Sequence, residues 1–439
     1  MEKVDCLIEA RWVVAVEPHG AALDNHAVAV RAGRIVALAP VDEAARRFDA
    51  AERVTLPDHV LIPGLVNLHT HAAMTLMRGL ADDLPLMTWL NEHIWPVEAK
   101  HVSADFVRDG TLIAVAEMLR GGVTCMNEMY FFPEAAAEAA LALGMRAALG
   151  LIAIEFPTAY ASDPDDYLAK GLALRDRLRH EQRLSFCLAP HAPYTVGDAT
   201  FEKIVRYSEE LGLPIHVHLH ETAQEIKDSI ATHGVRPLAR LARLGLIGPQ
   251  TIAVHAVHLD PAEIDLLARH GASVAHCPTS NLKLASGIAP VAALLRAGVN
   301  LGLGTDGAAS NNRLDMFGEM RLAALLAKGA SGRADVLPAA AALRAATLAG
   351  ARALGLEAEI GSITAGKRAD LCAVSLARIE LQPVYDPVSH LVYAAGREDV
   401  SDVWVDGERV VKSQRLTRIG AVELESNARL WQNRVRAKA

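Results

Sequence analysis

A chain of 439 residues that is 51% hydrophobic and 22% charged holds enough apolar material for a large buried core, which excludes an intrinsically disordered chain. A formal charge of -8, with no lysine/arginine block, excludes a nucleic-acid binder, and no apolar run is long enough for an uninterrupted transmembrane helix. Five cysteines (Cys6, Cys125, Cys187, Cys277 and Cys372) are odd in number and never in C-x-x-C spacing, which argues against a disulfide framework and for a reducing cytoplasm.

The N-terminus, "MEKVDCLIEARWVV", lacks the basic segment and apolar core of a signal peptide, so a cytoplasmic protein is expected. It continues into short valine-rich stretches, "CLIEARWVVAV" and "HAVAVRAGRIVALAP", the second turning at Gly33. Near the other end, "ADLCAVSL" and "DVWVDGERVVKS" repeat that style, with Asp406-Gly407 as a hairpin turn. These flanks predict one small composite β-sandwich domain built from residues 1–58 and 366–439. Two unrelated edge hairpins are the alternative.

Residues 59–365 alternate between strand-like and helix-like segments. Eight apolar runs stand out: "HVLIPGLVNLHTH", "VTCMNEM", "RAALGLIAI", "LSFCLAPHAP", "PIHVHLHE", "TIAVHAVHL", "ASVAHCPTSN" and "VNLGLGTDGA". The clearest helix is "DPAEIDLLARHG": Asp260 caps it, Pro261 fits its first turn and Glu263 completes a capping box. Ile264, Leu267 and Ala268 share a face before Gly271 stops it. "DATFEKIVRYSEELG" likewise places Phe201, Ile204, Val205 and Leu211 on one stripe. Strands that are nearly continuous in apolar residues are buried on both faces, as in a parallel sheet covered by helices. The fold class expected is therefore α/β, a TIM-like (β/α)8 barrel. An open doubly wound sheet is less suited, since no G-x-G-x-x-G follows any of these strands.

Chemistry in such barrels gathers at the C-terminal ends of the strands, and there the polar residues of this chain collect. The first run ends in His69 and His71 and the fourth in His191; the fifth carries His216, His218, His220 and Glu221. The sixth carries His255 and His258, the seventh His276, and the eighth Thr305 and Asp306. Side chains at i and i+2 of a strand point the same way, so His69 and His71 aim into one space. Together with one fifth-strand histidine and Asp306 they make a donor set for one divalent metal, zinc by ligand type. His216, His218 and His220 alternate onto one face, and spacing alone lets any of them reach it. No middle strand end offers the lysine that a bridged binuclear site wants, so a single metal is expected.

In this order the motifs "PGLVNLHTH", "HVHLHE", "GTDGAASNN" and "GSITAGKRADL" resemble the amidohydrolase superfamily over most of the chain. "HTHAAMTLMRGLADDLPLMTWL", "WPVE" at Trp95–Glu98, "APHAPY" and "SNLKLASGIAP" are most similar to its 5-methylthioadenosine/S-adenosylhomocysteine deaminases. The resemblance implies one catalytic metal, usually zinc, held by His69, His71, His218 and Asp306. It takes His218 because the family ligand precedes its catalytic glutamate by three residues, as His218 precedes Glu221. It implies Glu221, His255 and Asp306 as catalytic residues, with His258 structural. Glu98 matches a residue that binds ribose hydroxyls and His191 another substrate contact, beside Glu221 and Asp306. The implied reaction is deamination of 5'-methylthioadenosine, with S-adenosylhomocysteine and adenosine as further substrates, by metal-activated water attacking purine C6.

One departure concerns the 5' tail. Relatives often carry arginines beyond the third strand, whereas "GMRAALGLIAIEFPTAY" has Arg146 at the strand start and an apolar end, which favours a methylthio tail. A deaminase or dechlorinase of a free base or s-triazine would use the same metal shell. A catalytically silent barrel acting as a binding protein should have lost a ligand or the acid, and none is missing. A nucleoside partner, no nucleic acid, no membrane and a homodimer complete these expectations.

Overall fold

The computed structural model describes residues 1–18 and 20–436, in two compact units. One comprises residues 1–67, 116–125 and 315–419; the other comprises 68–115, 126–314 and 420–439.

The first unit carries an eight-stranded mixed sheet drawn from both ends of the chain. Glu2–Val14 pairs antiparallel with Ala22–Arg31 and parallel with Phe48–Pro63. Leu371–Ser375, from the C-terminal flank, runs antiparallel along the free side of Phe48–Pro63. The two flanks are thus one sheet and not separate hairpins. Alternation makes both faces apolar: Leu7, Ala27 and Ala29 pack on one side, Cys6, Ile8, Val28 and Val30 on the other. Asp406 and Gly407 turn with φ of 49° and 74°, the left-handed pair a tight hairpin requires.

The second sheet has eight strands, one in each apolar run: Leu65–Thr70, Val123–Glu128, Arg146–Ala153, Leu184–Pro190, Ile215–Leu219, Thr251–His255, Ser273–His276 and Asn300–Leu303. Their spatial order follows the chain, and the registered pairs from the third strand onward are parallel. All positions but Ser185 and Asn300 are buried, which is why the runs show no polar alternation. The last strand returns to the first: Asp306 N donates to the His69 carbonyl at 3.0 Å. Gly304 permits that approach, because a Cβ there would lie 2.8 Å from His69 N. Helices intervene where expected. Pro261–Arg269 has its full Asp260/Glu263 capping box, and Asp198–Leu211 buries Phe201 and Ile204 and ends at Gly212. No helix among the described residues is long and apolar enough to cross a membrane.

At the strand ends the backbone bends sharply. His220, His255 and Asp306 have φ of 54°, 71° and 60°, a region that residues other than glycine seldom occupy. Such local strain persists where surrounding packing enforces it, and it collects at functional sites.

Candidate metal centre and active-site cavity

His69 is the hub of the strand-end cluster. Its ligand nitrogen groups with His71 and Asp306, and again with His218 and His255, all donor atoms of each trio lying within 4.8 Å of one another. Asp306 Oδ1 is 3.3 Å from Nε2 of both His69 and His71. The rings of His69 and His218 are 4.9 Å apart, and those of His218 and His255 are 5.4 Å apart. Residues from the first, fifth, sixth and eighth strands therefore converge on one small space.

What lies behind each ring decides which nitrogen faces that space. His71 Nδ1 donates to the Met129 carbonyl, and His218 Nδ1 donates to the His191 carbonyl at 2.6 Å. His255 Nδ1 meets Asn281 Oδ1 at 2.8 Å, and His69 Nδ1 meets His216 Nε2 at 2.9 Å. With Nδ1 of His71, His218 and His255 facing acceptor oxygens, their Nε2 atoms keep a lone pair toward the centre, the tautomer a metal ligand needs, and His69 takes the same tautomer when its Nδ1 donates to His216. His69 Nε2 is buried without a hydrogen-bond partner. Burial also pushes the His69 ring down to about 4 and His218 well below its ordinary value, so both are neutral.

Asp306 supplies the negative charge. Burial works against its ionisation, but the facing side chains of His69, His71 and His255 prevail and hold it well below the usual carboxylate range. Ser280 and Ser310 donate to Oδ2 at 2.6 and 2.8 Å, and Gly307 N donates to Oδ1 at 2.8 Å. Neutral imidazole nitrogens around one carboxylate, with an orphaned buried lone pair among them, fit a divalent cation of the zinc type.

Glu221 stands beside this centre, Oε2 3.7 Å from His255 Nε2 and Oε1 3.5 Å from Ser286 Oγ. Burial raises its pKa. Glu225 secures the turn behind it by accepting from the amides of His220 and Glu221 at 3.2 and 2.9 Å.

The remaining histidines separate by geometry. The fifth strand ends at Leu219, and the left-handed backbone of His220 swings its ring away; Nε2 accepts from Leu238 N at 3.0 Å. The regular alternation expected of His216, His218 and His220 thus breaks at the third. His216 lies behind His69 as a hydrogen-bonded core residue. His258 donates to the Ser286 carbonyl at 2.7 Å, a structural contact beneath the Glu221 partner. His276 belongs to neither donor trio.

A cavity of about 310 Å³ opens from His71, His218, His255, Glu221 and Asp306. Its walls are largely aromatic, with Trp89, Trp95, Tyr130 and Phe156, and His191 lies among them, its Nδ1 3.0 Å from Thr195 Oγ1. Glu98 also lines it, half-buried, and Oε1 accepts from the Tyr130 hydroxyl at 2.6 Å. Burial pushes Glu98 up to about 7, against the pull of that hydroxyl. Glu98 is thus no solvated helix-end carboxylate. Among the described residues, neither Lys nor Arg lines this cavity. Arg146 is buried at its strand start, bonded to the Gln182 carbonyl at 3.0 Å.

Sequence reasoning missed Ser280, Asn281, Ser310, Glu225 and Tyr130. Ser280, Asn281 and Ser310 lie within the motifs "SNLKLASGIAP" and "GTDGAASNN" without a role read for them, and Glu225 carried a capping signal: Thr222 caps the following helix and Glu225 stands three residues on.

A model of the amidohydrolase family matches residues 60–410. A 5-methylthioadenosine/S-adenosylhomocysteine deaminase from Teredinibacter turnerae is 49% identical over 435 residues, spanning 99% of this chain and 98% of the relative. The crystal structure of an adenosine deaminase from Xanthomonas campestris with bound zinc superposes with a TM-score of 0.98 at 54% identity, covering 99% of each chain. An atrazine chlorohydrolase from Arthrobacter aurescens, complexed with zinc, gives a TM-score of 0.89 over 97% of this chain and 100% of its own, but at 24% identity it speaks for the fold alone.

Proposed function

The chain belongs to the amidohydrolase family, and we propose that it is a metal-dependent hydrolytic deaminase converting 5'-methylthioadenosine, and with it S-adenosylhomocysteine and adenosine, to the inosine analogue and ammonia. The observation that carries this reading is the convergence of His69, His71, His218 and Asp306, with Glu221 and His255, at one end of an aromatic cavity. Full-length similarity to a deaminase of such nucleosides supports it.

His69, His71, His218 and Asp306 hold the cation, which when bound supplies the positive charge that lets a water lose its proton near neutral pH. Asp306 Oδ1 takes that proton, and His255 Nε2 orients the water toward purine C6. Glu221, whose protonated form burial favours, gives its proton to ring nitrogen N1 as the C6–O bond forms. Asp306 then returns its proton to the exocyclic amine, the C6–N bond breaks and ammonia leaves. The C6 hydroxyl proton restores Glu221, so the cycle closes with water consumed and the oxo product released.

Glu98, with its Tyr130 partner, receives the ribose hydroxyls, and His191 makes another substrate contact. A cavity that no described Lys or Arg lines suits the neutral methylthio tail better than a homocysteine carboxylate. The same reading takes the protein as a cytoplasmic homodimer, in accord with five free and buried cysteines.

Ammonia release and loss of adenine absorbance should be followed with zinc-loaded enzyme on methylthioadenosine, S-adenosylhomocysteine, adenosine, guanine and s-triazines. Turnover of the 5'-thioether nucleosides supports the proposal. Turnover confined to free bases or triazines overturns it.

A further inference from the structure

Lys283 has no part in the chemistry above, yet its ammonium is fully engaged. Nζ donates to Asp82 Oδ1 at 2.6 Å, to the Ala309 carbonyl at 3.0 Å and to the side-chain oxygen of Asn312. Three N–H donors thus meet three oxygens. Only 17% of the side chain remains exposed, well buried for a lysine. The hydrogen bond from Lys283 holds the Asp82 carboxyl below its ordinary value. Asn312 Nδ2 approaches both Asp82 oxygens at 3.4 Å, and the Arg78 guanidinium donates to the Asn312 carbonyl.

The elements joined here are those on which the site depends. Lys283 ends the helix Pro278–Lys283, whose Ser280 holds Asp306 Oδ2 and whose Asn281 holds His255 Nδ1. Ala309 lies in the helix Ala308–Asn311 and Asn312 caps it; Ser310 of that helix holds the same Asp306 oxygen. Asp82 precedes the segment that brings Leu86, Trp89, Trp95, Glu98 and Val102 to the cavity wall. One cation therefore ties the wall segment to both helices that orient the proton-handling groups. Neither helix is long enough to hold its side chains in place unaided.

We propose that Lys283 is a positioning residue that couples the segment covering the cavity to the orientation of Asp306 and His255. Closure over a bound substrate then aligns the groups that orient the water and take its proton, because the covering segment and the two helices share the ammonium. The kinetic arm of this inference rests on the deaminase reading; the structural arm does not.

Two variants separate the ties. Asp82→Asn weakens the link to the covering segment and leaves Lys283 bonded to Ala309 and Asn312. It should raise KM for methylthioadenosine roughly 3- to 10-fold with kcat within about twofold. Lys283→Met breaks all three links and should also lower kcat at least about tenfold, with the metal retained. The double variant should match Lys283→Met alone, because the two residues act through one link. Hydrogen exchange of residues 86–102, read by mass spectrometry, should quicken at least about tenfold in both single variants. Wild-type exchange there in both variants overturns the assignment, whatever the substrate. So does a kcat in folded Lys283→Met within about twofold of wild type. A wild-type enzyme that releases no ammonia from any nucleoside would instead overturn the deaminase reading, and the exchange measurement would still decide the role of Lys283.

Discussion

His216 Nε2 lies 2.9 Å from His69 Nδ1, and the opposite nitrogen of His69 faces Asp306 Oδ1 at 3.3 Å. A histidine deep in the fifth strand thereby backs the ring of a proposed ligand on the first. His216→Phe keeps an aromatic ring of similar bulk and removes the acceptor. Metal affinity should fall roughly 10- to 100-fold, as for other partners placed behind a ligating imidazole. Competition with a chelator checks this; an unchanged dissociation constant would show that His69 needs no support from His216.

His218 and His220 differ by two residues and by the direction of their rings. His218 Nδ1 is anchored to the His191 carbonyl with Nε2 toward His69, whereas His220 Nε2 is already used by Leu238 N. His218→Ala should therefore yield folded protein depleted of metal. His220→Ala should keep full occupancy and lose stability instead, by about 1–3 kcal/mol for the unsatisfied buried amide of Leu238. Elemental analysis beside thermal unfolding distinguishes the two. Full metal in His218→Ala would remove it from the ligand set.

Glu221 is proposed to give and recover one proton per turnover, and its burial favours the protonated form. Glu221→Gln is nearly isosteric and cannot do this. Turnover should fall about 10²- to 10⁴-fold while metal content stays at the wild-type level. Near-normal turnover in a fully metallated Glu221→Gln enzyme would assign the proton at N1 to another group.

The residues that converge at the strand ends were legible because parallel barrel strands are buried on both faces. Their runs read as unbroken apolar stretches, so His69, His71, His218, His255 and Asp306 stand out where each run stops. The choice among His216, His218 and His220 was not legible from spacing, because the positive φ of His220 breaks an alternation that sequence presents as regular. The roles of Ser280 and Ser310, although both lie in quoted motifs, were not legible for a different reason. The two serines lie thirty residues apart in unremarkable short helices and acquire meaning only where those helices bring both hydroxyls to one Asp306 oxygen. Tyr130 likewise has no local signature; only the fold carries its hydroxyl to Glu98.

The Glu98–Tyr130 pair yields a pH dependence whose sign can be worked out. Accepting ribose hydroxyls requires the carboxylate form of Glu98, and burial has moved its pKa up to about 7. As pH falls through that value the carboxylate is lost, so kcat/KM for methylthioadenosine should decline on the acid side of about 7. Glu221 acts in the opposite sense, because its protonated form is the active one and burial raises its pKa. Glu98→Gln should lower kcat/KM at every pH and flatten the acid limb, leaving turnover of a free base unaffected. Tyr130→Phe removes the hydrogen bond that pulls the Glu98 pKa down, so its acid limb should move to higher pH. Profiles of kcat/KM for the three enzymes between pH 5 and 9 test this directly, that range spanning roughly two units on either side of the value for Glu98. An acid limb that survives in Glu98→Gln would belong to another residue, and the ribose contact would have to be reassigned.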